Sequence, residues 1–264
     1  MISINGEITI EQGHFPDHTL LMKFEPKNSW ADNDIYITWK YENDAELFAL
    51  ICVKRHLDKF YNHNNITLAM SYLPHARQDR VKNNEDVFTL KYFCEIINSL
   101  KFKTVYVRDV HSNVSLALLD NVVNGDPSMY IHDAIENSNA EVLFYPDEGA
   151  MKRYSECNPM IYAFGIKKRD WQTGKIQGLQ IVNADLVKDK TVLIVDDICS
   201  RGGTFYYSAK ALKEAGAANI NLYITHCENT ILEGEIFTSG LINNVYTTNS
   251  LVHCDELKEK LIYV

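Results

Sequence analysis

Short apolar runs alternate with longer mixed stretches along most of the chain, and this alternation predicts the secondary structure. The apolar runs are typical of buried strands, and the stretches between them are typical of helices. The predicted strands are 34–41, 66–73, 103–110, 140–147, 159–165, 191–197 and 220–226, and the predicted helices are 45–61, 86–100 and 208–217. Because strands separated by helices imply βαβ crossovers, we predict an α/β fold with mainly parallel sheets flanked by helices.

One order of elements occurs twice. Residues 66–111 run strand, polar loop, helix, strand, and residues 191–226 repeat that order. We therefore predict two similar halves, residues 1–130 and 131–264. Doubly wound proteins contain many such units, so an ordinary succession of βαβ units is the alternative interpretation.

Composition and charge narrow the class of protein. The 264 residues are 46% hydrophobic and 23% charged, which is ordinary for a globular chain, and the net charge is −9. This charge argues against broad nucleic-acid binding, but a local basic cluster with a divalent cation still allows phosphorylated small molecules. The six cysteines are scattered without a C-x-x-C pair, as in reduced intracellular proteins. We expect a cytoplasmic protein without a signal peptide or membrane span.

An acidic pair and a glycine pair follow the apolar run at 191–195. The pair stands where the strand is predicted to end, at the edge where open α/β sheets bind ligands. The loop at 200–204 then leads into a predicted helix, whose first N–H groups favour an anion. Glycines let backbone amides approach a phosphate, and the neighbouring hydroxyls and guanidinium add further donors. The candidate sugar and phosphate ligands are Asp196, Asp197, Ser200, Arg201, Gly202, Gly203 and Thr204. An ordinary strand–turn–helix with a solvated acidic pair is the competing interpretation.

The segment VLIVDDICSRGGT resembles the motif shared by type I phosphoribosyltransferases and ribose-phosphate diphosphokinases (PRPP synthetases). In that motif the acidic pair contacts the ribose hydroxyls, and the following loop wraps the 5-phosphate. This motif alone does not separate the two classes, so other segments must decide.

Two segments of the first half favour the diphosphokinases. SYLPHARQDR resembles the part of that family that contributes to ATP binding, and RDVHS resembles a segment whose histidine lies at the ATP phosphates and the metal. A polar loop and a structural histidine are the alternative interpretations. The resemblance assigns ATP binding to Arg77, Gln78, Asp79 and His111, and it gives His111 a catalytic and metal-binding role as well.

Three segments of the second half match the same family in the same order. YPDEGAMKRY resembles a segment whose aspartate belongs to the metal and sugar site, which implies a metal-binding role for Asp147. FGIKKRD resembles a mobile loop whose K-x-R pair stabilises the transferring phosphoryl group, here Lys167 and Arg169. The stretch 223–251, with its T-H and T-N-S elements, resembles the end of the catalytic domain.

The resemblance implies an ATP-dependent diphosphokinase with a phosphoribosyltransferase fold. Mg²⁺ would accompany ATP, and the anomeric hydroxyl of a 5-substituted ribose would attack the β-phosphorus with AMP as leaving group. Ribose 5-phosphate is the expected acceptor. The family habit also implies a homo-oligomer.

The sequence departs from the family pattern at two places. Ser200 and Arg201 replace an acid and a threonine of the usual loop, which would make the loop more positive and suit a larger acceptor such as ADP-ribose. Arg201 gripping an ordinary 5-phosphate, or pointing to solvent, is equally open. The adenine-contacting stretch is matched only in FPDHTL, where Phe15 and Asp17 fit. A phosphoribosyltransferase and a non-catalytic synthetase-associated regulator are the alternative classes.

Overall fold

The computed structural model describes the chain except residues 8–9, 31–32, 62–64, 170–175 and 253–260, with only the backbone at 11, 167–169 and 176–178. The chain forms two compact units, Met1–Gly125 (unit 1) and Asp126–Val264 (unit 2). Each is an α/β assembly with its own sheet and its own buried core.

Unit 1 is built on a five-stranded sheet. Its elements are β1 (Ile2–Ile4), β2 (Glu11–His14), β3 (Leu20–Lys23), β4 (Ile35–Trp39), α1 (Ala45–Leu57), β5 (Ile66–Met70), α2 (Thr89–Ser99), β6 (Thr104–Arg108), α3 (Val114–Leu118) and β7 (Val122–Gly125). The strand order is β1-β4-β5-β6-β7, with β4 to β7 parallel and β1 antiparallel at one edge. Strands β2 and β3 form a separate antiparallel hairpin.

Unit 2 is built on a seven-stranded sheet. Its elements are α4 (Ser128–Ser138), β8 (Val142–Tyr145), α5 (Glu148–Tyr154), β9 (Tyr162–Arg169), β10 (Ile176–Val182), β11 (Thr191–Cys199), α6 (Gly203–Glu214), β12 (Asn219–Cys227), β13 (Val245–Thr247) and β14 (Leu261–Tyr263). The order is β10-β9-β8-β11-β12-β13-β14, and all neighbours are parallel except β10 against β9.

The central strands of unit 2 are apolar because both faces of the sheet are covered. Alternate side chains of β11 enter two different clusters: Val192 and Ile194 pack with residues of α6, and Leu193 and Val195 pack with residues of α4 and α5. Strand side chains alternate between faces, so this division explains why the whole run is hydrophobic. It also fixes the faces to which the two following aspartates belong.

The predicted α/β class with mainly parallel, helix-covered sheets is confirmed, and each predicted strand and helix overlaps an observed one. Three of the boundary differences concern the candidate site. Strand β11 continues through both aspartates to Cys199, α6 already begins at Gly203, and β9 extends to Arg169. The acidic pair therefore lies within a strand, and the Lys167/Arg169 pair lies on strand backbone.

Two further observations concern the cysteines and the helices of the described residues. The five cysteines in the described part of the chain, Cys52, Cys94, Cys157, Cys199 and Cys227, form no disulfide with one another. Within the same described part of the chain, no helix has the length and apolar character that crossing a membrane requires.

Candidate active site

The buried half of the acidic pair is neutralised by an arginine. Asp197 follows Leu193 and Val195 on the face that α5 covers, and its Oδ2 lies 2.8 Å from an Arg153 terminal nitrogen. Burial opposes the charge of Arg153, but Asp197 keeps the pKa of its guanidinium above the ordinary value. The sequence alone indicates no role for Arg153, although this residue lies in the segment YPDEGAMKRY. Arg153 thus offsets part of the repulsion that two adjacent carboxylates would otherwise create.

The other member, Asp196, lies on the opposite face and is only partly buried. Its Oδ1 accepts a hydrogen bond of 2.9 Å from the backbone N–H of Asp197. Loss of solvation and the charge of Asp197, with a smaller effect of Asp147, raise the pKa of Asp196 well above its usual value. The pair is therefore asymmetric: Asp197 is an anion held by Arg153, and Asp196 retains its proton more readily.

Asp147 lies at the same sheet edge because β8 and β11 are adjacent and parallel. It is the N-cap of α5, and its Oδ1 accepts backbone N–H bonds from Gly149 at 3.0 Å and Ala150 at 3.1 Å. A carboxylate at this position satisfies helix N–H groups that have no partner within the helix. The structure thereby brings together Asp147, Asp196 and Asp197, as the sequence predicts for one site.

Residues 200–204, which we call the glycine loop, join β11 to α6. Gly202 has φ +76°, a conformation that glycine adopts without strain, and Gly203 is the first residue of the twelve-residue α6. A Cβ at Gly203 would meet nothing within 4 Å in the protein. The start of α6 therefore presents unpaired N–H groups with open space beside them, which is an arrangement suited to an anion.

The glycine loop rests on residues 228–236, which we call the supporting segment. The Ser200 hydroxyl donates to Glu228 Oε2 at 2.7 Å, and the Thr230 hydroxyl donates to the same oxygen at 3.1 Å. The backbone of Gly234 lies so close to the glycine loop that a Cβ on it would overlap the carbonyl oxygen of Arg201. These contacts fix the shape of the loop from outside.

Arg201 does not make the glycine loop more positive, contrary to the expectation from sequence. Its Nε and one terminal nitrogen donate to Glu233 Oε2 at 3.0 and 2.8 Å. Glu233 therefore balances the guanidinium charge, and Glu228 adds a further carboxylate beside Ser200. Neither contact could be predicted from the loop sequence, because Glu228 and Glu233 lie beyond the next strand, β12.

In unit 1, Asp79 connects the loops that follow β5 and β6. Its carboxylate accepts two bonds from Arg80, at 2.6 and 2.8 Å, and one from the Ser112 hydroxyl at 2.7 Å. The bonds from Arg80, with that from Ser112, lower the pKa of Asp79 to about 2. Asp79 thus anchors the turn beside His111, and its carboxylate is already occupied by these partners.

The other predicted ATP residues of unit 1 lie near the same edge or on the hairpin. Gln78 accepts a hydrogen bond from the Thr89 hydroxyl at 2.7 Å, and Arg77 precedes it in the loop after β5. His111 follows β6 and is partly buried; it stands two residues after Asp109, whose φ is +42°. The roles assigned to these residues stay predictions.

Phe15 and Asp17 lie at the tip of the β2–β3 hairpin. Phe15 is half exposed, and Asp17 accepts bonds from the Thr19 N–H at 3.1 Å and its hydroxyl at 2.7 Å. These bonds lower the pKa of Asp17 and shape the turn. The side chains of Lys167 and Arg169 lie outside the described part of the structure, so their role also stays a prediction.

A buried polar network closes the end of β12. The Ser250 and Thr248 hydroxyls both donate to the carbonyl oxygen of Thr225, at 3.0 and 2.7 Å, and Ser250 also contacts His226 Nδ1 at 2.8 Å. These residues belong to the T-H and T-N-S elements of the sequence. Their hydroxyls are used inside the fold, where they fasten the segment after β13 to β12.

The described geometry defines a protein of the phosphoribosyltransferase fold class. A model of the phosphoribosyl transferase domain matches residues 158–235, which include the acidic pair and the glycine loop. The solved structure of a phosphoribosylpyrophosphate synthetase from Mycobacterium smegmatis superposes with a TM-score of 0.78 at 18% identity, covering 97% of this chain and 85% of that one. At this identity the likeness shows the fold.

Curated proteins of one family are similar to this chain over most of its length. A ribose-phosphate pyrophosphokinase from Thermoplasma volcanium is 25% identical over 255 residues, covering 91% of this chain and 86% of the relative. One from Pyrococcus furiosus is 27% identical over 253 residues, covering 92% and 86%. The chain is therefore similar to ribose-phosphate pyrophosphokinases over most of its length. The predicted resemblance to this family is confirmed.

Proposed function

We propose that the protein transfers the β,γ-diphosphate of Mg-ATP to the anomeric hydroxyl of ribose 5-phosphate, giving PRPP and AMP. The observation that carries this proposal is the position of the acidic pair directly before the glycine loop and the N-terminus of α6, at one sheet edge. The names of the relatives agree with it. The expected homo-oligomer stays a prediction.

Different residues of unit 2 bind different parts of the acceptor. The glycine loop and the first N–H groups of α6 bind the 5-phosphate, and Asp196 and Asp197 bind the vicinal hydroxyls of the ribose. Arg153 keeps Asp197 ionised and fixed, so that its orientation is set before the sugar arrives. Catalysis of diphosphate transfer is mainly positioning and neutralisation of charge, which we assign to these groups together with Lys167, Arg169 and His111.

The donor groups at this edge suit magnesium. Asp147 and Asp196 offer carboxylate oxygens, which Mg²⁺ prefers, and the described residues contain no cluster of three or more His, Cys, Asp or Glu placed to hold a metal. Mg²⁺ commonly takes one or two carboxylates and completes its shell with water and substrate phosphates. Asp147 would hold it, and the ion would neutralise charge on the diphosphate.

The first experiment measures AMP release from ATP and Mg²⁺ with ribose 5-phosphate, with PRPP identified by phosphorus NMR. We expect stoichiometric AMP and PRPP, and no AMP without the acceptor. A Lys167→Ala variant is expected to lose ~100-fold or more in kcat, because removing one stabiliser of transition-state charge has that effect. Absence of PRPP with the wild-type protein would refute the proposal.

A second prediction concerns Gly203. Because a Cβ at this position has open space in the protein, Gly203→Ala is expected to fold normally. The added methyl group would stand in the space where the phosphate approaches the backbone, so the KM for ribose 5-phosphate should rise ~10-fold with little change in the KM for ATP. Equal KM values for both proteins would show that the phosphate binds elsewhere.

A further inference from the structure

Three charged side chains in the glycine loop and the supporting segment contact each other or the loop. Arg201 contributes one positive charge, and Glu233 and Glu228 contribute two negative charges at hydrogen-bond distance from the loop. These three side chains sum to one negative charge, so they add no attraction for an anion beyond that of the backbone N–H groups at the start of α6. A helix N-terminus carries about half a unit of positive charge, which suits a small anion.

The two carboxylates affect a larger anion differently from a single phosphate. We expect one phosphate to bind at the N–H groups of residues 202–204 and a second phosphate to extend beyond them. A cation there would stabilise the second phosphate, and the guanidinium of Arg201, which belongs to the loop, is paired with Glu233. Arg201 is well exposed, with 73% of its side chain accessible, so it can reach such a phosphate once Glu233 releases it.

We propose that Glu233 and Glu228 are specificity-determining residues that limit the negative charge the glycine loop accepts. They favour a sugar bearing one 5-phosphate over one bearing a diphosphate, such as ADP-ribose. This inference rests on the proposed function, since it assumes that the loop binds the acceptor. It assigns the acceptor class from the charges on the supporting segment and not from the loop sequence alone.

The test compares the affinities of ribose 5-phosphate and ADP-ribose by titration calorimetry in the wild-type protein and its variants. Glu233→Gln removes the negative charge that pairs with Arg201. The affinity for ADP-ribose should then rise about threefold relative to the affinity for ribose 5-phosphate, because an exposed ion pair has an energy of about that size. The double variant Arg201→Gln/Glu233→Gln should lose that gain, because the freed guanidinium produces it. Glu228→Gln keeps an oxygen that can accept from Ser200 and should shift the ratio in the same direction.

Glu235→Gln is the matched control. Glu235 stands in the same supporting segment, is exposed, and has no side-chain hydrogen bond or ion pair with the described residues. Its affinity ratio should equal that of the wild-type protein. If Glu233→Gln and Glu235→Gln give the same ratio, the inference is overturned.

Separate outcomes identify which proposal fails. If the wild-type protein binds ribose 5-phosphate but releases no AMP, the proposed function fails, and the affinity ratios still decide the specificity. If it binds neither sugar, both proposals fail. A wild-type protein that prefers ADP-ribose overturns the inference and leaves the diphosphokinase chemistry intact.

Discussion

Replacing Arg153 by methionine is expected to lower the free energy of unfolding by about 3 kcal/mol near neutral pH, because it leaves Asp197 buried without its counter-ion. Only 4% of the Asp197 side chain is exposed, whereas 29% of the Arg153 side chain is exposed. Because the pair is partly open to solvent, we expect a loss of stability at the low end of the range for buried ion pairs. Urea denaturation followed by circular dichroism measures the change. The same variant should lose most AMP release, because Asp197 would no longer be held as an oriented anion.

The loss of stability in Arg153→Met should depend on pH. Without its partner, Asp197 has a folded-state pKa above the unfolded value of about 4, so protonation favours the folded form. The deficit should therefore be small below the unfolded pKa and should grow as pH rises through the folded pKa. The double variant Arg153→Met/Asp197→Asn removes both charges and should recover part of the stability. An unchanged urea midpoint in Arg153→Met would contradict the role of this pair.

Gly234→Ala is expected to cost about 1–3 kcal/mol of stability and to raise the KM for ribose 5-phosphate, because the new Cβ overlaps the Arg201 carbonyl oxygen and overpacking has a cost of this size. Gly234 has φ −102° and ψ −170°, which alanine adopts readily, so the effect isolates the close approach of two backbones. Thermal unfolding and initial-rate kinetics measure both consequences.

The control for Gly234→Ala is Gly13→Ala in β2, where a Cβ meets nothing within 4 Å. That substitution should leave stability unchanged or slightly increased, since alanine restricts the unfolded chain. If Gly234→Ala changed stability and the KM for ribose 5-phosphate no more than Gly13→Ala does, the close contact between Gly234 and Arg201 would not matter. The supporting segment would then not determine the shape of the glycine loop.

The parallel core could be predicted from sequence because its signal is local. The apolar runs of β8, β11 and β12 stand out since both faces of their sheet are covered. Strand β10, with glycine and two glutamines in IQGLQIV, lies at a sheet edge and lacks that signal. The short helix α5 has only seven residues, too few for a clear periodicity.

The missing parts of the site depend on contacts between distant segments. From sequence, two aspartates after an apolar run indicate that the strand ends there. The strand continues through them because Arg153 neutralises Asp197, and Arg153 lies on a different element, the helix α5. The motif predicted the glycine loop, but the pairing of Arg201 with Glu233 depends on a chain reversal through α6 and β12. The residues of the loop alone therefore predicted a more positive loop, because the charge of Glu233 was not taken into account.

The position of β11 and β12 has a consequence for how the protein responds to heat. Both strands lie inside the seven-stranded sheet, and nearly every side chain of β12 is buried. Amide hydrogens in such strands exchange with solvent only when the whole cooperative unit opens. Since β11 carries the acidic pair and β12 leads into the supporting segment, we expect the acidic pair to stay in place until the sheet of unit 2 opens. Acceptor binding should then persist up to the melting of unit 2 and disappear together with it.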